Sequence, residues 1–191
     1  MNNIINRTID QYESISLKEA DWVEQARQNP HAFSQVYNRY VEPVYRYIYN
    51  RTGNSADAED ITSQTFLAAL EGIHKYKDKG YFAAWLFSIA RRKTIDYYRS
   101  RRNLTTLDEA QFIWEASDMD GNLIQKERNE KLQNLIQALP ESERELIRLR
   151  YLAELNFAEI AHLLKRNESA TKKTFYRLIA RIQKQLEVAN E

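Results

Sequence analysis

Apolar residues in this chain recur at spacings of three and four, the period of amphipathic helices, and strand-like alternation is scarce. In residues 20–53, "ADWVEQARQNPHAFSQVYNRYVEPVYRYIYNRTG", the pattern predicts two helices broken near Asn29-Pro30. The second should end at Gly53, a residue suited to the left-handed position beyond a helix. Its Phe33, Val36, Tyr37 and Tyr40 fall on one side. Asn54 or Ser55 can cap the next helix, "ADAEDITSQTFLAALEGI", whose early carboxylates suit the positive end of the helix dipole. "HKYKDKGY" reads as a loop and "FAAWLFSIARRKTIDYYRSRR" as a long helix. Residues 103–128, mainly acidic and carrying Gly121, read as a linker, and four more helical segments are expected from Asn129 onward. The expected fold is therefore all-α: two small helical domains, 21–102 and 129–187, joined by an acidic linker over 103–128. Residues 1–20 form a weakly patterned leader and 188–191 a polar tail.

The C-terminal pattern is the sharper of the two. Phe157, Ile160, Ala161 and Leu164 make one apolar stripe, and after the polar break "KRNES" a second follows at Phe175, Leu178, Ile179, Ile182 and Leu186. At ~100° per residue, Lys173, Arg177, Arg181 and Lys184 lie opposite that second stripe, with Lys172 and Tyr176 flanking them. Two helices across a short turn, the second exposing cations, fit a DNA-binding helix-turn-helix. Asn167 or Ser169 can cap its second helix. The same cations also fit the solvated outer face of a small bundle.

Composition narrows the class. The chain holds 191 residues, room for one or two small domains, and its 29 % charged and 12 % aromatic residues describe a foldable globular chain. It has no Cys, which removes disulfides, thiolate catalysis and cysteine-ligated metals. The N-terminus has no apolar signal core and no run is long enough to span a bilayer, so a cytoplasmic protein without membrane insertion is expected. The 28 Lys+Arg and 27 Asp+Glu nearly cancel, yet they are segregated: 91–102 and 165–184 are basic and the linker acidic.

The basic block "RRKTIDYYRSRR" carries cations on several sides of one helix, more than packing requires, and its tyrosines offer platforms for unstacked bases. The loop before it repeats the mixture, with Lys75, Lys77 and Lys79 between Tyr76, Tyr81 and Phe82. Trp85 reads as core, whereas Tyr76 stands outside the periodicity of the following helix and is expected to act on open DNA. "DAED" (Asp57, Glu59, Asp60) invites a metal or acid–base role, but no partner recurs at ligand spacing and His31, His74 and His162 stand alone. Neither a metal site, a cofactor nor a catalytic centre is expected. Asp57 and Glu59 suit the helix dipole, while Asp60 and Gln64, one turn apart, suit a basic partner.

In order, these segments resemble the extracytoplasmic-function (ECF) group of bacterial RNA polymerase sigma factors. "DAEDITSQTFLAALEGIHKYKDKGYFAAWLFSIARRKTIDYYRSRR" is similar to their region 2, and "LPESERELIRLRYLAELNFAEIAHLLKRNESATKKTFYRLIARIQKQL" to their region 4. The resemblance implies a non-enzymatic protein that binds core RNA polymerase and directs it to promoters. Region 2 would read and melt the −10 element through Lys75, Tyr76, Lys77, Lys79, Tyr81, Arg91, Arg92, Tyr97 and Arg99. Region 4 would read the −35 duplex through Lys172, Lys173, Tyr176, Arg177 and Arg181. Asp57, Asp60 and Gln64 would dock on the polymerase clamp, and an anti-sigma factor is a partner that the resemblance admits. Two departures stand out: Ser63-Gln64 carries no carboxylate before Thr65-Phe66, and Lys165 stands where the helix-turn-helix turn usually has Gly.

Overall fold

The computed structural model describes residues 20–77, 80–102 and 123–188, and among them every regular element is helical. Helix α1 covers residues 20–28 and stops at Asn29, whose side chain accepts the His31 N–H at 3.0 Å and opens the short 3₁₀ turn Pro30–Ala32. Helix α2 (Phe33–Thr52) ends at Gly53, which takes φ 68° and returns its N–H to the Tyr49 carbonyl at 2.9 Å. A side chain there would raise the backbone energy, so the predicted stop has a steric cause. Helix α3 (Ser55–Gly72) is capped by Asn54, which accepts the Asp57 N–H at 3.0 Å. It buries Ala58, Ile61, Thr62, Thr65, Phe66 and Ala69, one continuous stripe.

The 3₁₀ turn Ile73–Lys75 leads to helix α4 (Phe82–Arg102). A Cβ added at Gly72 would lie 3.3 Å from the Trp85 ring, so glycine lets α4 approach the end of α3 closely. Phe82, Ala83, Leu86, Phe87 and Ala90 face inward against Val36, Tyr40, Val44, Tyr47 and Ile48 of α2. Tyr37, expected on that inward side of α2, is instead 44 % exposed and meets Phe66 edge-on at 4.9 Å between centroids. The helical face it occupies is wider than the neighbour that covers it.

Helix α5 (Leu123–Gln137) begins inside the segment read from sequence as linker. The rest of that segment, residues 103–122, together with the leader up to residue 19, Lys79 and the last three residues, lies outside the described residues. Helix α6 (Glu141–Ile147) runs directly into a π-turn, Arg148–Leu152. Helices α7 (Phe157–Leu164) and α8 (Glu168–Val188) follow. Ile136 and Leu139 from α5 and Ile147 from α6 meet Leu178 and Ile182 of α8 in a small cluster. The larger core does not stop at either helical unit: Leu146, Leu149, Leu155 and Ile160 join the same cluster as Tyr47 and Phe87.

Candidate nucleic-acid interface

The end of the chain is built as the pattern predicts, with one substitution in its chemistry. Asn156 and Glu159 form a reciprocal capping box at the start of α7: Asn156 Oδ1 accepts the Glu159 N–H at 2.9 Å, and Glu159 Oε2 accepts the Asn156 N–H at 2.7 Å. At its end Lys165 takes φ 54°, ψ 47°, and the Arg166 N–H reaches the Ala161 carbonyl at 2.9 Å, closing a Schellman turn. The turn that usually holds Gly is thus made by a lysine in the left-handed region. Asn167 then caps α8, accepting the Ala170 N–H at 3.2 Å.

On α8 the predicted stripe is inside: Phe175, Leu178 and Ile182 are buried, while Lys172, Lys173, Tyr176, Arg177, Arg181 and Lys184 are exposed. Arg181 differs from the others in being paired with Glu143 of α6. Tyr176 packs at 5.7 Å on Phe157, extending an aromatic group to the surface.

In the first unit the predicted residues separate into three groups. Lys75, Lys77, Arg92 and Arg99 are exposed, and Arg92 lies 3.9 Å from Asp96 one turn on. Tyr97 and Tyr98 are engaged at home. Tyr97 donates to Asp57 Oδ2 at 2.6 Å, Arg101 stacks over its ring at 4.9 Å, and burial followed by Asp57 pushes the phenol up to about 12. The Tyr98 hydroxyl donates to the Arg51 carbonyl, and burial raises its pKa. Tyr76 corrects an expectation: it is 8 % exposed, with its ring 5.4 Å from Phe82 and 5.0 Å from Trp85. It lies in the loop, outside helical periodicity, but the loop folds it back under α4, which periodicity cannot reveal.

Lys75, Tyr76, Trp85, Arg92, Lys93 and Asp96 nevertheless line one open groove of about 570 Å³ between α3 and α4. Tyr76 and Trp85 bring rings to its lining, and Lys75, Arg92 and Lys93 bring cations, with the Asp96 carboxylate beside them. On the exposed face of α3, Gln64 Nε2 donates to Asp60 Oδ2 at 2.8 Å. Leu67, 58 % exposed, lies on that helix two turns from Asp60. The sequence reading missed Leu67 because a Leu in a run of apolar residues reads as core. Asp57 stands apart from this pair, 3.3 Å from Arg101 and bonded to Tyr97.

Between the units lies a feature with no sequence signal, because Tyr47, Asn50 and Arg51 are 94 to 98 residues from the partners they meet there. Glu145 of α6, 5 % exposed, accepts from the Tyr47 hydroxyl at 2.8 Å and from Arg51 Nη1 at 2.7 Å. Arg91 Nε approaches the same carboxylate at 3.5 Å. Arg148, 2 % exposed in the π-turn, donates to Asn50 Oδ1 at 2.6 Å and to Glu141 Oε1 at 2.7 Å. Burial, then Glu145, raises the Tyr47 phenol well above its ordinary value. Burial pulls Arg148 down, whereas for Arg51 the pull of burial is outweighed by Tyr47, Glu145 and Glu141, leaving it raised. Nearby, Glu154 at φ 59° reaches Arg46 at 2.6 Å and Arg39 at 3.5 Å. Tyr81, half-buried, stacks on the His162 ring of α7 at 4.4 Å, 8° from parallel.

Comparison with known proteins agrees with this architecture. Residues 36–104 match the family Sigma-70 region 2, and residues 129–182 match Sigma-70, region 4. The ECF RNA polymerase sigma factor SigM of Bacillus subtilis is 31 % identical over 158 residues, covering 78 % of this chain and 91 % of SigM. BldN of Streptomyces coelicolor, also an ECF sigma factor, is 35 % identical over 153 residues; these cover 78 % of this chain and 58 % of BldN. Among solved structures, CnrH in complex with the cytosolic domain of CnrY shares the fold at TM-score 0.60 and 22 % identity, over 87 % of this chain and 96 % of that one. No helix among the described residues is long and apolar enough to cross a membrane. With both sigma regions present in order, and a relative of this identity matched over nearly its whole length, the chain belongs to the ECF RNA polymerase sigma factors, which bind core polymerase and direct it to promoters.

Proposed function

We propose that the two helical units, 21–102 and 129–187, divide promoter reading between them. Helix α8 enters the major groove of the −35 duplex with Lys172, Lys173, Tyr176 and Arg177, all of them exposed. The groove between α3 and α4 receives one unpaired nucleotide of the −10 element: the Trp85 ring in its lining offers stacking and Lys75, Arg92 and Lys93 offer phosphate contacts. Tyr76 contributes a ring wall to that groove rather than an open platform. Arg99 and Lys77 track the backbone beside it. The exposed Asp60–Gln64 pair, with Leu67, docks core polymerase. The chain has no chemistry of its own in this reading and works in the cytoplasm, where polymerase is. An anti-sigma factor is a further partner in this reading; CnrH, whose fold is related, is solved in complex with the cytosolic domain of CnrY.

The observation that carries this reading is the exposed cationic face of α8 opposite a buried stripe, behind a fully capped turn. Run-off transcription with purified core enzyme on a genomic promoter library tests it. Promoter-specific products are expected with the natural chain. Asp60→Lys should reduce core binding by about 2 kcal/mol, since it sets like charges face to face. No promoter-specific product from the natural chain would overturn the reading.

A further inference from the structure

The last turns of α4 carry cations beyond the hydrophobic core that holds the rest of the helix. Phe82, Leu86, Phe87, Ala90 and Thr94 are buried, whereas none of residues 95–101 is. A helix end without apolar cover opens easily, and ordering it at the moment of binding subtracts from affinity. Polar contacts hold this end instead. The Tyr98 hydroxyl donates to the Arg51 carbonyl, one of those that the end of α2 leaves without an intrahelical donor. Tyr97 donates to Asp57 Oδ2 at 2.6 Å, and Arg101 Nη1 lies 3.3 Å from the same oxygen. The Arg101 guanidinium lies 4.9 Å from the centre of the Tyr97 ring, and its Nη1 also donates to the Tyr97 hydroxyl. Asp57 is fixed in turn. Asn54 accepts its N–H at 3.0 Å, and its carboxylate sits in the first turn of α3, at the positive end of that helix.

A carboxylate in this place works against the attraction of a polyanion. Arg92, Arg99 and Arg101 are exposed on α4, and a negative charge beside them lowers the potential that draws DNA in. Asp57 is also poorly placed to meet a basic partner protein: its side chain is 24 % exposed and its contacts run to α4. Arg101, by contrast, has a side chain 57 % exposed. Its Nη1 is the atom turned to Asp57 and Tyr97. Nε and Nη2 carry the other donors of the planar fork, and two such donors side by side match the oxygens of one phosphate.

We infer that Arg101 is a phosphate contact of the promoter-binding surface, and that Asp57, with Tyr97, is its positioning residue rather than a polymerase-docking charge. The inference rests on the assignment of α4 to promoter DNA. Held by one nitrogen and by the ring beneath it, the guanidinium meets the phosphate already oriented, so little side-chain freedom is lost on binding. The same carboxylate ties the projecting end of α4 to the start of α3, which keeps Arg99 in register with Arg101.

Binding of the full chain, without polymerase, to a random-sequence duplex of about 40 base pairs is measured by fluorescence anisotropy at several salt concentrations. Four proteins are compared: the natural chain, Asp57→Asn, Arg101→Ala and the double variant. The sign of the effect separates the possibilities. Removing a carboxylate near DNA raises affinity if its charge is all that matters. A positioning Asp57 predicts the opposite, a several-fold loss in Asp57→Asn. Arg101→Ala should also bind more weakly, with a salt slope lower by about one. Once Arg101 is gone there is nothing left to position, so Asp57→Asn should then leave affinity unchanged or raise it. A substitution that merely loosened the fold would weaken both backgrounds alike. Tyr97→Phe keeps the ring and deletes only the hydroxyl, so it decides in the same two backgrounds if Asp57→Asn does not fold. Raised affinity of Asp57→Asn in the natural background overturns the positioning role, and so do equal losses in both backgrounds. An unchanged slope in Arg101→Ala overturns the phosphate contact. None of these measurements needs a promoter or polymerase, so failure of the promoter assignment shows separately, as absent product in run-off transcription.

Discussion

Lys165 shows how a single residue can disagree with its backbone without breaking the element it ends. Its left-handed conformation costs an L-residue ~1–2 kcal/mol, and the two hydrogen bonds of the Schellman turn hold it there. Glycine adopts that conformation freely but loses more entropy on folding, which offsets ~0.5–1 kcal/mol of the gain. Lys165→Gly should therefore stabilise the chain by about 0.5–1 kcal/mol. Thermal unfolding of the two forms at equal ionic strength reads this directly, and a lower midpoint in the variant would show that the Lys165 side chain contributes more than its backbone costs. Tyr76 teaches the converse: its ring lies against Phe82 and Trp85, so its truncation removes core packing as well as a groove wall.

At the scale of the element, α8 is one helix with two duties on opposite faces. Phe175, Leu178 and Ile182 tie it to the rest of the protein, while Lys173 and Arg177 face solvent. Arg181 bridges the two roles through Glu143, so its removal would disturb both DNA binding and packing. Lys173→Ala with Arg177→Ala is the cleaner pair. It should leave the helix content unchanged, weaken duplex binding and lower the salt slope by about two, one for each phosphate that no longer meets a cation. Titrations at several salt concentrations check this; an unchanged slope would remove α8 from the groove.

The whole molecule is held together by apolar packing with a polar seam through it, and the seam makes stability depend on alkaline pH. Burial and Glu145 raise the Tyr47 phenol, so the folded state keeps a proton that the unfolded chain gives up near pH ~10. A group raised in this way contributes fully below that pH, and its contribution is lost as pH rises above it. Melting temperature should fall between about pH 9 and about pH 11, less steeply in Tyr47→Phe. At neutral pH that variant should lose roughly 1–3 kcal/mol, because a buried carboxylate loses one of its donors. Parallel slopes for the two proteins would show that alkaline loss arises elsewhere.

Helix boundaries set by local chemistry were legible in the chain itself. Gly53 stops α2 because only its backbone turns left-handed at no cost, and Asn54 and Asn167 start helices because their side chains satisfy nearby N–H groups. The two faces of α8 follow from a period of ~3.6 residues, and the two motif blocks in their order were enough to suggest the family. What periodicity records is which residues are apolar at helical spacing, not what covers them. Tyr37 therefore shares a side of α2 with Phe33, Val36 and Tyr40 yet stands exposed, and Tyr76, expected to act on open DNA, lies inside. Asp57 has the sequence signature of a docking charge and is bonded to Tyr97, 40 residues away. The seam of Tyr47, Arg51, Arg91, Glu145 and Arg148 had no trace in the sequence: charged residues read as surface until packing brings an opposite charge from the other unit close enough to replace water.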